Sequence, residues 1–164
     1  MRALAHELGR LATSPHRLYL VGGATAVMEG WRQSTIDIDL RLEPDSDELL
    51  RAIPQLKETL GINIELASPP DFIPELPGWR DRSPFLLQEG QVSVHHFDFY
   101  SQALSKIERD IAQDREDVAS MLETGVVESG RLLGFYEAIE PLLFRYPAID
   151  PPSFRRRVER AARA

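Results

Sequence analysis

The stretch from Thr35 to Leu42 reads TIDIDLRL and alternates strictly between apolar and polar side chains. This alternation predicts a strand with one buried and one open face, because successive side chains point to opposite sides of a strand. Asp37 and Asp39 therefore project together, about 6–7 Å apart along the strand. Aspartate is depleted in strands, so two at alternate positions are unusual. The apolar members of the pattern are expected to anchor the opposite face in the core: Ile36, Ile38 and Leu40.

A glycine pair precedes this strand by about a dozen residues. The apolar run Leu18–Val21 leads into Gly22 and Gly23, and an alanine-rich segment with helical spacing follows. We therefore expect a short buried strand and a helix that begins at the glycines. Such a junction allows backbone amides to approach an anionic group closely. Neither the lysine of a P-loop nor the three-glycine dinucleotide fingerprint accompanies it.

The paired aspartates suggest a metal site. Two ionised carboxylates at this separation repel each other unless a cation lies between them. Mg²⁺ is the natural candidate, because it binds one or two carboxylates and completes its shell with water and substrate phosphates. Glu65 lies on the polar face of a second short strand and could join Asp37 and Asp39 from a neighbouring position. Three carboxylates would support nucleotidyl or phosphoryl transfer with one or two metal ions. The alternative is an exposed strand face that happens to carry acids.

The order of predicted elements indicates an α+β fold with a small mixed β-sheet flanked by helices. Three strands alternate with helices, a proline-rich loop follows, and a hairpin turns at Glu89–Gly90. We expect a single domain over residues 1–164, with a core at about 18–100 and a helical C-terminal part at about 101–164. The C-terminal helices are predicted at 101–111, 114–122, 129–144 and 152–162.

Composition limits the classes of function. The 164 residues carry a net charge of −7, which argues against broad, sequence-independent binding of nucleic acid. The segment 154–164 is basic, and it is either a solvated helix end or a surface that binds RNA or an acidic partner. Cysteine is absent, and neither a long apolar run nor a signal peptide is found. We therefore expect a cytoplasmic protein with no contact to a membrane.

Taken together, these motifs resemble the signature of the DNA polymerase β-like nucleotidyltransferase superfamily. In that signature a Gly-Gly or Gly-Ser pair at a strand–helix junction is followed by two acids separated by one apolar residue. Gly22, Gly23, Asp37 and Asp39 occupy those positions. An arginine and a threonine before the D-I-D-L sequence are similar to the variant found in minimal bacterial nucleotidyltransferases of toxin–antitoxin and abortive-infection systems. A later lysine with following acids is similar to a second motif of that group: Lys106, Asp114 and Asp117.

The resemblance implies roles for the glycines and the carboxylates. Gly22 and Gly23 would hold the phosphates of a nucleoside triphosphate through backbone amides. Asp37 and Asp39 would bind Mg²⁺, with Mn²⁺ as an alternative. Glu65 would be the third acid, which activates the attacking hydroxyl or holds a second metal ion.

It also implies roles for residues outside the strands. Arg32 and Thr35 would take part in nucleotide binding. Lys106 would offer its ammonium group to the triphosphate. Asp114 would orient Lys106 or Arg32, or act on the acceptor side, whereas Asp117 is expected to be a surface or capping residue.

The function that the resemblance implies is a Mg²⁺-dependent transfer of a nucleoside monophosphate from an NTP to an acceptor. The acceptor would be RNA, such as a tRNA 3′ end, or a protein hydroxyl, and an antitoxin protein would be a partner. The alternative is a catalytically inactive module of the same fold that binds a nucleotide or a partner. Two further features are expected to be structural, although each could line a site: the neighbouring His95 and His96, and Trp79 in the proline-rich loop.

Overall fold

The structure is a computed structural model that describes residues 1–163. Helices and strands alternate in its first half, and helices make up most of its second half. The elements, in chain order, are α1 (Arg2–Leu11), β1 (His16–Val21), α2 (Gly22–Met28), β2 (Asp37–Glu43), α3 (Asp47–Leu60), β3 (Asn63–Leu66), β4 (Phe85–Glu89), β5 (Val92–His96), α4 (Phe99–Arg109), α5 (Ala112–Glu123), α6 (Ser129–Ile139) and α7 (Pro151–Ala161).

The chain forms two compact units, and the first comprises residues 1–68 and 83–97. It contains a five-stranded sheet in the order β3-β2-β1-β5-β4. β1 is antiparallel to β2 and parallel to β5, β2 is parallel to β3, and β4 and β5 form an antiparallel hairpin. The prediction of an α+β fold with a small mixed sheet is confirmed.

One face of this sheet carries the core of the first unit. The buried cluster contains apolar residues of the strands β1, β2, β3 and β5 and of the helices α1 and α3. Along β2 the buried residues alternate with the acids, because adjacent strand residues face opposite ways. The strand members of the cluster are Leu18, Leu20, Ile38, Leu40, Leu42, Ile64, Val92 and Val94.

Helix α3 illustrates how local sequence sets an element's ends. The Ser46 side chain caps its first turn by accepting a hydrogen bond from the Leu49 amide (3.4 Å), and two acids follow in that turn. Gly61 ends the helix in the left-handed conformation at φ +63°. Pro54 lies inside α3 without ending it.

The second unit comprises residues 69–82 and 98–164, described as far as residue 163. It contains α4 to α7 and two 3₁₀ helices, at Pro69–Asp71 and Glu140–Arg145. The expectation of a single domain stays a prediction. Every helix within residues 1–163 is too short or too polar to traverse a bilayer.

The C-terminal helices begin and end within two residues of the prediction except at the end of α6, and two of the differences have a clear cause. The helix predicted at 129–144 ends at Ile139 and continues as a 3₁₀ helix, because Pro141 has no amide hydrogen and its ring blocks the preceding turn. α4 begins at Phe99, two residues early, because the Asp98 carboxylate caps it by accepting from the Ser101 amide (3.2 Å) and hydroxyl (2.7 Å).

The prediction that Ile36 anchors the core is wrong. Ile36 precedes the first residue of β2 and is 70% exposed. Leu66 shares a strand face with the buried Ile64, but it is 55% exposed at the end of the four-residue edge strand β3. Alternation marks the face of a residue correctly, but burial also requires an element that covers that part of the sheet.

Candidate active site

The glycine junction lies directly against one of the predicted metal ligands. β1 ends at Val21, which pairs with Asp39 of β2, and Gly22 opens α2 with a φ of +62°. A Cβ atom on Gly22 would lie 2.8 Å from the Asp39 carboxylate oxygen Oδ2. The left-handed backbone therefore favours glycine at this position, and a side chain there would also displace the Asp39 carboxylate.

The second glycine faces the residues that precede β2. A Cβ atom on Gly23 would lie 2.8 Å from Thr35 Oγ1 and 3.4 Å from Arg32 Nη1. Thr35 Oγ1 also accepts a hydrogen bond from the Asp37 amide (3.1 Å). Thr35 therefore fixes the start of β2, and the two glycines, Arg32, Thr35 and Asp39 form one compact group.

The third acid lies on the neighbouring strand. β2 and β3 run parallel, and Asp39 is in register with Glu65 while Asp37 is in register with Asn63. Adjacent strands are about 4.8 Å apart, so Glu65 stands next to Asp39 on the polar face of the sheet. Asp37 and Glu65 are exposed to solvent.

Asn63 is a site residue that the sequence reasoning missed. Its side-chain amide donates to Asp37 Oδ1 (3.1 Å) and to Glu65 Oε1 (3.2 Å), so one amide bridges two of the acids. The signal was present in the sequence, because Asn63 and Glu65 are alternate residues of one strand and share a face.

The donor set is suitable for Mg²⁺ as a pair of carboxylates. Within residues 1–163, no group of three or more acidic or histidine side chains stands close enough together to hold a metal ion. Mg²⁺ commonly takes only one or two protein carboxylates, with the rest of its shell from water and phosphates. Asp37 and Asp39 on one strand face, beside the glycine junction, meet that requirement.

Lys106 and Asp114 belong to the second unit, where they form a buried ion-pair cluster. Lys106 Nζ donates to Asp114 Oδ1 (3.1 Å) and to Asp117 Oδ2 (2.6 Å). Arg109 donates to both oxygens of Asp114, at 2.6 and 2.7 Å. Two aspartates thus hold the ammonium group, and the contact of Lys106 with a triphosphate stays a prediction.

The expectation for Asp117 is wrong. This residue is 2% exposed and accepts a short hydrogen bond from Lys106, so it is neither a surface nor a capping residue. Burial alone would raise the pKa of neighbouring Asp114, but hydrogen bonds from Arg109 and Lys106 outweigh it and hold that pKa below its usual range. The Asp114 carboxyl is therefore ionised at neutral pH.

The other aromatic and basic candidates pack within the protein. Trp79 is 1% exposed, so its ring is not available to stack on a base. His95 contacts Ser83 and Ser93, and burial lowers its pKa. In the basic segment, Arg155 pairs with the Glu140 carboxylate.

Comparison with known families agrees with this geometry. Residues 1–142 match the model of a family described as "Nucleotidyltransferase of unknown function (DUF6036)". The comparisons matched no curated protein and no solved structure. The match spans α1 to the start of the second 3₁₀ helix, and so includes both glycines, all three acids and the lysine cluster. Because the family model covers most of the sequence, the chain belongs to this family of nucleotidyltransferases.

Proposed function

We propose that the protein is a Mg²⁺-dependent enzyme of the DNA polymerase β-like type that transfers a nucleoside monophosphate from an NTP to a hydroxyl acceptor. The observation that carries the proposal is the close approach of the Asp39 carboxylate to Gly22, with Glu65 in register on the next strand. Such a transfer requires groups that bind phosphate and acids that bind metal, and the candidates for these two roles adjoin.

The proposed roles follow from the chemistry of the backbone amides and of the carboxylates. The amides at Gly22 and Gly23 would bind phosphate oxygens, and Asp37 and Asp39 would hold Mg²⁺. The bound ion would offset the negative charge of the triphosphate. Glu65 would accept the proton of the acceptor hydroxyl, whose oxygen forms a bond to the α-phosphorus while the bond to the leaving pyrophosphate breaks.

Other residues would support this arrangement. Thr35 holds the Asp37 backbone, and Arg32 lies beside Gly23, where a guanidinium can bind phosphate. Lys106, oriented by Asp114, would contribute positive charge to the triphosphate. This last role is proposed from the motif that the two residues share with the superfamily.

The acceptor and the cellular role are proposed by analogy. The motif variant around Arg32 and Thr35 favours an RNA end or a protein hydroxyl as acceptor, and a toxin whose partner is an antitoxin protein. The protein would act in the cytoplasm. An assay of total RNA and of lysate protein with each labelled NTP would identify the acceptor by the class that becomes labelled.

One observation favours a second candidate, a module that binds nucleotide without transfer. The Asn63 amide ties Asp37 to Glu65, and amide donors stabilise carboxylates in place of a cation. Calorimetric titration separates the two candidates: Mg²⁺-dependent NTP binding with no release of pyrophosphate supports the module.

The enzyme proposal is tested by removing each metal-binding acid. With Mg²⁺, an α-labelled NTP and the acceptor pool, Asp37→Ala and Asp39→Ala should each abolish transfer. Asp45→Ala is a matched control, because this exposed aspartate follows β2 in the loop before α3. Transfer that survives in either of the first two variants would rule out the metal pair.

A further inference from the structure

His96 is a buried polar residue on the apolar side of the sheet. It is the last residue of β5, in register with Leu20 of β1, and only 1% of it is exposed. An imidazole in such a position is destabilising unless its nitrogens are hydrogen-bonded. The partners of His96 therefore indicate why a histidine stands there.

Both partners of the ring come from α2 or its end. His96 Nε2 lies 2.8 Å from Glu29 Oε1, and Nδ1 lies 3.3 Å from Thr25 Oγ1. Glu29 is the C-terminal cap of α2, and the Thr25 hydroxyl also donates to the Leu20 carbonyl (3.1 Å). One imidazole thus ties the middle and the end of α2 to the sheet.

Helix α2 needs such a tie. It has seven residues, begins with two glycines, and has neither a side-chain cap at its N-terminus nor a basic residue in its last turn. Helices this short have little stability of their own, and glycine lowers it further. Tertiary contacts must therefore fix the position of α2.

That position matters because α2 opens with the glycine junction. The Gly22 backbone and the Asp39 carboxylate are so close that a Cβ atom added to Gly22 would force the carboxylate to shift. A movement of α2 would therefore change the distance between the amides at Gly22–Gly23 and the acid on β2.

We propose that His96, with Glu29 and Thr25, is a positioning residue for nucleotide binding, because it holds α2 so that the glycine junction meets Asp39. The inference rests on the proposed function. Burial lowers the pKa of His96, although Glu29 opposes this, so the neutral ring is the resting form. Its hydrogen is assigned to Nε2, because the Glu29 carboxylate can only accept.

This assignment defines an informative pair of substitutions. Leucine at position 96 fills space but leaves Glu29 and Thr25 without the ring. Glutamine carries an amide donor for the Glu29 carboxylate at the end of its side chain. His96→Leu should therefore weaken the attachment of α2 to the sheet, and His96→Gln should retain part of that attachment.

The test measures binding rather than turnover. Isothermal titration with Mg²⁺ and the non-cleavable α,β-methylene analogues of the four NTPs gives a Kd that does not depend on the acceptor. We expect His96→Leu to weaken binding about tenfold, as for one hydrogen bond to a charged group, and His96→Gln to weaken it less. His95→Leu, at the neighbouring half-buried histidine of the same strand, should leave the Kd unchanged.

Glu29→Ala removes the same interaction from the side of α2. The Glu29 side chain is 29% exposed, so its removal is tolerated better than a change in the buried ring, and Glu58→Ala at an exposed position of α3 is its matched control. We expect Glu29→Ala to weaken binding, and the double variant with His96→Leu to be no weaker than the worse single one.

The outcomes separate this inference from the function on which it rests. Lower melting temperatures with wild-type Kd values for His96→Leu and Glu29→Ala would show a purely structural role and overturn the inference alone. Failure of the wild-type protein to bind any of the four analogues would overturn the proposed function as well.

Discussion

The alanine substitution of Gly22 separates the two reasons for glycine at this position. Gly22 has a φ of +62°, and an added Cβ atom would lie 2.8 Å from Asp39 Oδ2. Gly61 at the end of α3 provides a matched control, because its φ is +63° and no atom lies within 4 Å of an added Cβ. Both substitutions impose the same backbone strain, but only Gly22→Ala displaces the carboxylate.

The magnitudes follow from these two distances. Alanine in the left-handed region costs about 1–2 kcal/mol, so both variants should lose that much free energy of unfolding. The Asp39 carboxylate must retreat by about half an ångström to reach an ordinary van der Waals separation from the new Cβ atom. Because a misplacement of 1 Å can cost about a hundredfold in rate, we expect Gly22→Ala to lose about tenfold in kcat/KM.

Urea unfolding and NTP turnover, measured on both variants, test this reasoning. Equal stability losses with an activity loss confined to Gly22→Ala would support it. Full activity in Gly22→Ala would refute it, because the close approach of the Gly22 backbone to Asp39 would then have no functional consequence. Equal activity losses in both variants would refute it too, since strain alone would explain them.

Three further predictions concern other groups. Asn63→Ala should remove the amide that holds the carboxylate of Asp37, so the apparent KM for Mg²⁺ should rise in steady-state assays while stability stays unchanged; an unchanged KM would count against a role at the metal site. Asp117→Ala should lower the free energy of unfolding by about 3 kcal/mol in urea titrations, because it leaves Lys106 buried with one acid fewer; no loss would mean that the pair is not buried in solution. His96 has a folded-state pKa below 6.5, so the unfolded chain binds more protons at this residue, and the contribution of His96 to stability is complete above pH 6.5 and is lost as the pH falls further. His96→Gln should therefore flatten the melting-temperature profile below pH 6.5, and a profile identical to that of the wild type would contradict this prediction.

The sequence pattern predicted one side of the site well. The alternation at 35–42 placed Asp37 and Asp39 on one face, and the glycine pair marked the end of a strand and the start of a helix. These are local properties, in which the conformation follows from neighbouring residues. The pairing of Asp39 with Glu65 does not follow from neighbouring residues in this way, because strand order and register depend on long-range packing.

The residues that prediction missed have partners far away in the sequence. The strand pattern places Asn63 on the same face as Glu65, but it does not indicate the hydrogen bond to Asp37, 26 positions earlier. Asp117 lies in a charged segment that is typical of a surface helix, and only the packing of α5 against α4 buries it beside Lys106. The end of α6 was within reach, because Pro141 is visible in the sequence and does not fit inside a helix.

The position of the label in the NTP distinguishes nucleotidyl transfer from other group transfers at this site. Wild-type protein is incubated with Mg²⁺ and the acceptor pool, once with an α-labelled NTP and once with the γ-labelled form. Our account predicts that the α-label enters the acceptor and that the γ-label is released in pyrophosphate. Transfer of the γ-label to the acceptor would contradict it, since that result would show phosphoryl transfer.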